Sequence, residues 1–134
     1  MKIDELMIGD WVRIGNIIAQ ITGLKKVSNE QQFFSVYYYH TEDKTEEGCF
    51  IDEIEPIPLT KDILEKNGFE VHRQFATFTE YWLDIPRKWV RVAPNSYIEI
   101  YNGENKNVHI DGKSYVHELQ HALRLCGIDK EIEL

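Results

Sequence analysis

The chain has 134 residues, with 23 acidic against 15 basic side chains, a formal net charge of −8, and 43% hydrophobic residues. That is one domain's worth of chain or two very small ones, and enough apolar residue to bury a core, which excludes a disordered polymer. The negative balance opposes broad, sequence-independent attraction to nucleic acid or anionic membrane. No apolar run approaches the roughly 18 residues of a membrane helix. The first residues carry Asp4 and Glu5 and no long apolar run, so no signal peptide is expected. Cys49 and Cys126 are too few for a disulfide framework; they read as small core residues with reduced thiols in a cytoplasmic protein.

The first 57 residues read as strands. Ile8-Gly9-Asp10-Trp11-Val12-Arg13-Ile14 enters a strand through a Gly-Asp turn, and Gly15-Asn16 turns the chain into a second strand through Thr22. Phe33 to Tyr39 is nearly continuous aromatic and β-branched sequence. The acidic stretch from His40 to Gly48 reads as a solvated loop, and Cys49 to Ile54 as a further strand. Four or five short strands in so little chain predict a small, strongly bent β-barrel, and the opening Gly9-Asp10-Trp11-Val12, followed by a strand ending Ile21-Thr22-Gly23, resembles the entry to Src-homology-3-like barrels. Ile54-Glu55-Pro56-Ile57-Pro58-Leu59 is the break, so the chain is divided as 1-57 and 58-134, two units packed as one compact body.

Thr60 is a good N-cap and Gly68 a good C′ residue, so a short helix is expected over Lys61 to Asn67. An antiparallel meander follows. Its strands are Phe69 to Phe75, Phe78 to Leu83, Trp89 to Ala93, Tyr97 to Tyr101 and Val108 to Ile110, with Asn102-Gly103 a strong hairpin signal and Glu104 to Asn107 extending that loop. Alternation sets Phe69, Val71, Arg73 and Phe75 on one side of the first of these strands, and Glu70, His72 and Gln74 on the other. Ser114 to Cys126 reads as the second helix. The fold class is α+β.

His117-Glu118-Leu119-Gln120-His121 matches the H-E-x-x-H pattern of zinc metallopeptidases, in which two histidines one turn apart share a zinc and the glutamate activates its water. Three arguments oppose that chemistry. At ~100° per residue, Leu119, Ala122, Leu123 and Cys126 fall within ~80° of Tyr115, while His117 and His121 fall near ~200° and ~240°, outside the apolar stripe and towards solvent or a partner. A third ligand is wanted, but the extended motif's positions hold Arg124 and Gly127, and the downstream glutamates are Glu131 and Glu133. Little chain follows the helix to build a cleft. The match is therefore read as fortuitous, with His117 and His121 an exposed pair that are weak metal candidates, and no cofactor is expected.

Arg87-Lys88-Trp89-Val90-Arg91 is the one basic stretch with an aromatic, the combination that holds single-stranded nucleic acid. Alternation puts Trp89 and Arg91 on one face, so Arg87, Lys88, Trp89 and Arg91 form a candidate nucleic-acid or partner surface. Tyr37, Tyr38 and Tyr39 offer a second aromatic site, with Tyr37 and Tyr39 on one side of a strand and Tyr38 on the other.

Ile54-Glu55-Pro56-Ile57-Pro58-Leu59-Thr60 running into Ile63-Leu64-Glu65-Lys66-Asn67-Gly68-Phe69, Tyr115-Val116-His117-Glu118-Leu119-Gln120, and the opening Ile8-Gly9-Asp10-Trp11-Val12 together resemble an uncharacterised family of small Bacteroidetes proteins, often found in prophage or mobile-element settings. Those stretches are structural: a junction, a capped helix and a core-facing helix. The resemblance implies a bacterial, intracellular, phage-linked setting and carries no activity, cofactor or catalytic residue. The expected function is a non-enzymatic interaction or accessory protein with a protein partner or self-association. The alternatives are a weak single-stranded nucleic-acid binder and a zinc-dependent hydrolase acting through His117, Glu118 and His121. No membrane contact is expected.

Overall fold

A computed structural model describes residues 1–26, 34–40, 45–103 and 105–134. Over these the chain is α+β, mostly antiparallel sheet with two α-helices, and no described helix is long and apolar enough to cross a membrane. It divides into two compact units, Met1–Ile57 and Pro58–Leu134.

The first unit is a five-stranded sheet of β1 (Trp11–Ile14), β2 (Ile17–Lys26), β3 (Phe34–His40), β4 (Thr45–Phe50) and β5 (Ile54–Pro56), in the order β4-β3-β2-β1-β5. Its entry turn is tied at two points. Gly9 adopts φ 95, its N–H donates to the Ile21 carbonyl at 2.7 Å, and the buried Asp10 carboxylate accepts the Met7 N–H at 2.7 Å. Period-two alternation buries Val12, Ile21 and Val36 against Leu6, Ile51 and Ile54. On the other face, a Cβ at Gly23 or Gly48 would meet the Tyr37 ring at 3.5 and 3.4 Å, so the ring lies across two strands that carry no side chain to lift it.

Three expectations change here. The described residues show no pairing between β4 and β5, so the sheet is open rather than a closed barrel. The polar segment expected as loop from His40 to Gly48 is strand at His40 and from Thr45, while residues 41–44 of it lie outside the described residues, as does Phe33 of the strand expected before it. The single strand expected over Cys49 to Ile54 is interrupted by a 3₁₀ turn at Ile51–Glu53, because the Glu53 carboxylate reaches back to accept the Phe50 N–H at 2.7 Å. Pro56 belongs to β5, opposite Val12, a place where an edge strand needs no donor.

In the second unit, α1 (Lys61–Lys66) is capped by the Thr60 hydroxyl, which accepts the Ile63 N–H at 3.3 Å, and stops before Gly68 at φ 86. The meander β6 (Glu70–Gln74), β7 (Thr79–Ile85), β8 (Lys88–Ala93), β9 (Tyr97–Asn102) and β10 (Asn105–Asp111) has the order β10-β9-β8-β7-β6. Glu104 lies outside the described residues; Asn105 and the two residues after it, expected as loop, are strand. Tyr81, Val90, Val92, Ile98 and Ile100 are buried on the inner face, and α2 (Val116–Leu125), carrying Leu119 and Leu123 fully buried, packs on β9. The clean alternation expected in β6 fails at His72, where a bulge shifts the register: Glu70 opposes Trp82 and Arg73 opposes Glu80.

The chain after α2 doubles back along it. The Gln120 side-chain amide donates to the Lys130 carbonyl at 3.0 Å and accepts the Ile132 N–H at 2.7 Å. The Asn67 side chain does the same with Glu133, both bonds at 2.8 Å, so two amides stand in for a neighbouring strand and seat Ile128 and Ile132 in the core.

Candidate functional site

Helix α2 positions the H-E-x-x-H residues, and it uses them structurally. Tyr115 is the N-cap, with Glu118 at the third helical position; the Glu118 carboxylate accepts the Tyr115 N–H at 3.4 Å, one half of a capping box. The expectation that both histidines face solvent is wrong for His117, which is 5% exposed, stacked on Tyr115 at 5.9 Å and edge-on to His121 at 5.6 Å. His121 is half-buried. The wheel located the apolar stripe, but burial is wider than the stripe because the returning tail covers the Gln120 side of the helix. Among the described residues no three His, Cys, Asp or Glu side chains gather as a metal site.

The basic stretch is divided by its own strand. Arg87 is exposed at the β7–β8 turn and adopts φ 66, a left-handed conformation that an arginine holds under strain. Lys88 turns to the inner face, where its Nζ donates to the Cys126 carbonyl at 2.6 Å and closes the C-terminus of α2. Trp89 and Arg91 share the outer face, the one turned away from α2.

That outer face carries a connected set of rings and charges. The Trp89 and Tyr101 rings stack at 3.9 Å, and the Arg91 guanidinium lies 3.9 Å over Trp89. Arg91 Nε is 3.3 Å from Glu80, which is 3% exposed and also bonds His72 Nδ1 at 2.8 Å and the Tyr97 hydroxyl. Burial alone would raise the Glu80 carboxyl; the hydrogen bonds from Tyr97 and His72 and the charge of Arg91 outweigh it and hold the group below the ordinary 4.5. Burial, then the bond to Glu80, pushes the Tyr97 hydroxyl far up. Further along, His109 bridges Glu99 at 2.7 Å and Asp111 at 2.6 Å, and the Tyr101 hydroxyl donates to Glu99 at 3.0 Å. His72 lies against Trp82, ring centroids 4.6 Å apart.

The network's centre, Glu80, was missed in the sequence. Nothing in Thr79-Glu80-Tyr81-Trp82 separates a buried carboxylate from a solvated one, because its partners arrive from β6, β8 and β9. In the first unit, Tyr38 is buried and donates to Glu47 at 3.1 Å, while Tyr39 stands exposed on the opposite side of β3. Comparison with family models, with known proteins and with solved structures finds no match to this chain.

Proposed function

We propose that this chain is a non-enzymatic interaction protein that meets a protein partner through the outer face of its second sheet. The observation that carries the reading is the half-exposed ring set Trp82, Trp89, Tyr97 and Tyr101 on a face whose central charges already satisfy one another. Rigid aromatics that lose little entropy on docking are the residues that dominate protein interfaces. Glu80 is committed to three partners and Glu118 to a helix cap, so neither is poised as an acid or base. The resemblance to a phage-linked Bacteroidetes family fits an accessory role in a bacterial cytoplasm. The return of β5 to β1 after a 3₁₀ turn supports a Src-homology-3-like reading of the first unit.

Single-stranded nucleic acid is the second reading, favoured by Trp89 and Arg91 on one face. It has less support, because Glu80 already matches the charge of Arg91 and Lys88 is spent on the helix end.

The test places a photo-crosslinking amino acid at position 89 or, as a control, at Leu125, 80% exposed on α2. A discrete protein captured from position 89 only, whose purified form binds the chain and loses binding on Trp89→Ala, is the expected result. Equal capture from both positions, or binding indifferent to Trp89→Ala, overturns the reading.

A further inference from the structure

On the reading that this face is the docking surface, we infer that its partner presents a lysine- or arginine-rich extended segment. The face places a carboxylate directly cross-strand from each tryptophan: Glu70 opposes Trp82, and Asp84 opposes Trp89. Directly opposed residues share a face with Cβ atoms about 5 Å apart. Both carboxylates are exposed, in contrast to Glu80, whose charge is already matched by Arg91. Trp82 and Asp84 are two residues apart on β7, and the second pair is also displaced by one strand, so the two acid–tryptophan pairs lie about 8 Å apart on a diagonal. Alternate residues of an extended segment are about 7 Å apart, so two cations at alternate positions of a segment crossing the strands can each meet one carboxylate beside a tryptophan.

The face already shows this chemistry within itself: Arg91 rests on the Trp89 ring beside the Glu80 carboxylate. Counting described side chains by register, Glu70, Glu80, Asp84, Glu99 and Asp111 face out against Arg73 and Arg91. With Glu80 matched by Arg91 and with Glu99 and Asp111 bridged by His109, Glu70 and Asp84 are the exposed acids beside the tryptophans, and they favour a cationic partner over a phosphate backbone.

The probe is a fluorescently labelled peptide of alternating Lys and Ser, compared with a Glu–Ser peptide of equal length and with oligothymidylate. The intact chain should bind only the Lys–Ser peptide, and more weakly as salt rises. Glu70→Lys and Asp84→Lys should each weaken binding by about threefold to tenfold. Asp129→Lys makes the same change of net charge at an exposed site in the tail and should leave binding unchanged. Equal loss in all three variants, or preference for oligothymidylate, overturns the inference. The crosslinked partner separates the two levels. If Trp89→Ala abolishes its binding while the Glu70 and Asp84 reversals do not, the docking face stands and the basic segment fails. If neither change matters, both fail. Glu70, Asp84 and Asp129 are exposed, and unchanged melting temperatures confirm that the charge variants fold.

Discussion

The Tyr97 hydroxyl donates to the Glu80 carboxylate across the position held by Ala93. Tyr97 on β9 opposes Ala93 on β8, and extending the β7–β8 register by one residue sets Glu80 on Ala93's other side. Only a methyl group stands between them, and Ala93 is fully buried. Ala93→Val should therefore cost about 1–3 kcal/mol in chemical denaturation, the usual range for overpacking. Tyr97→Phe, which leaves a buried carboxylate short of a donor, should cost about 1–3 kcal/mol.

The same cluster sets a pH dependence. Glu80 has its folded-state value lowered, so its stabilising contribution is present above the ordinary 4.5 and is lost as pH falls through the lower folded value. Tyr97 has its value raised, so its contribution is present below the ordinary 10.0 and is lost as pH rises beyond it. Melting temperature against pH should fall at both ends, and Glu80→Gln should flatten the acid limb. An acid limb unchanged in Glu80→Gln would show that other carboxylates set it.

Helix α2 separates a structural from a metal-binding role for its histidines. Leu119→Ala should cost about 2–5 kcal/mol, and Glu118→Ala about 1 kcal/mol through the lost capping bond. His117→Ala should cost more than His121→Ala, because His117 is buried. Chelator should leave the melting temperature unchanged; a fall would mean that bound metal stabilises the fold.

The tail clamp is tested by Gln120→Ala, which strips both amide bonds from Lys130 and Ile132. The expected loss is about 2–4 kcal/mol, summing one buried and one part-buried hydrogen bond. Hydrogen exchange at the Ile132 amide should speed up with it.

At the β7–β8 turn, Arg87→Gly should stabilise the chain by about 1 kcal/mol, because glycine holds φ 66 without strain. Thermal denaturation decides the sign.

The sequence was most informative where a local rule governs. Thr60 and Gly68 bounded α1, Asn102-Gly103 marked a hairpin, and alternation put Trp89 with Arg91. It was least informative where distant chain decides. The His72 bulge, the Glu53 cap that splits a strand, and the tail that widens burial on α2 each depend on partners the local pattern does not contain. The candidate face was half legible for the same reason. Trp89 and Arg91 were found together, but Lys88 was placed with them because its true partner is the Cys126 carbonyl, 38 residues away.

A partner docked on the outer face of the second sheet must rest on Trp89 and Tyr101. The most direct test is a titration of the partner crosslinked at position 89 against the intact chain and against the Trp89→Ala, Tyr101→Ala pair variant, with the folded fraction of each checked by melting. At least about tenfold weaker binding is expected for the folded variant, as for loss of interface hot spots. Affinity equal to that of the intact chain would contradict it.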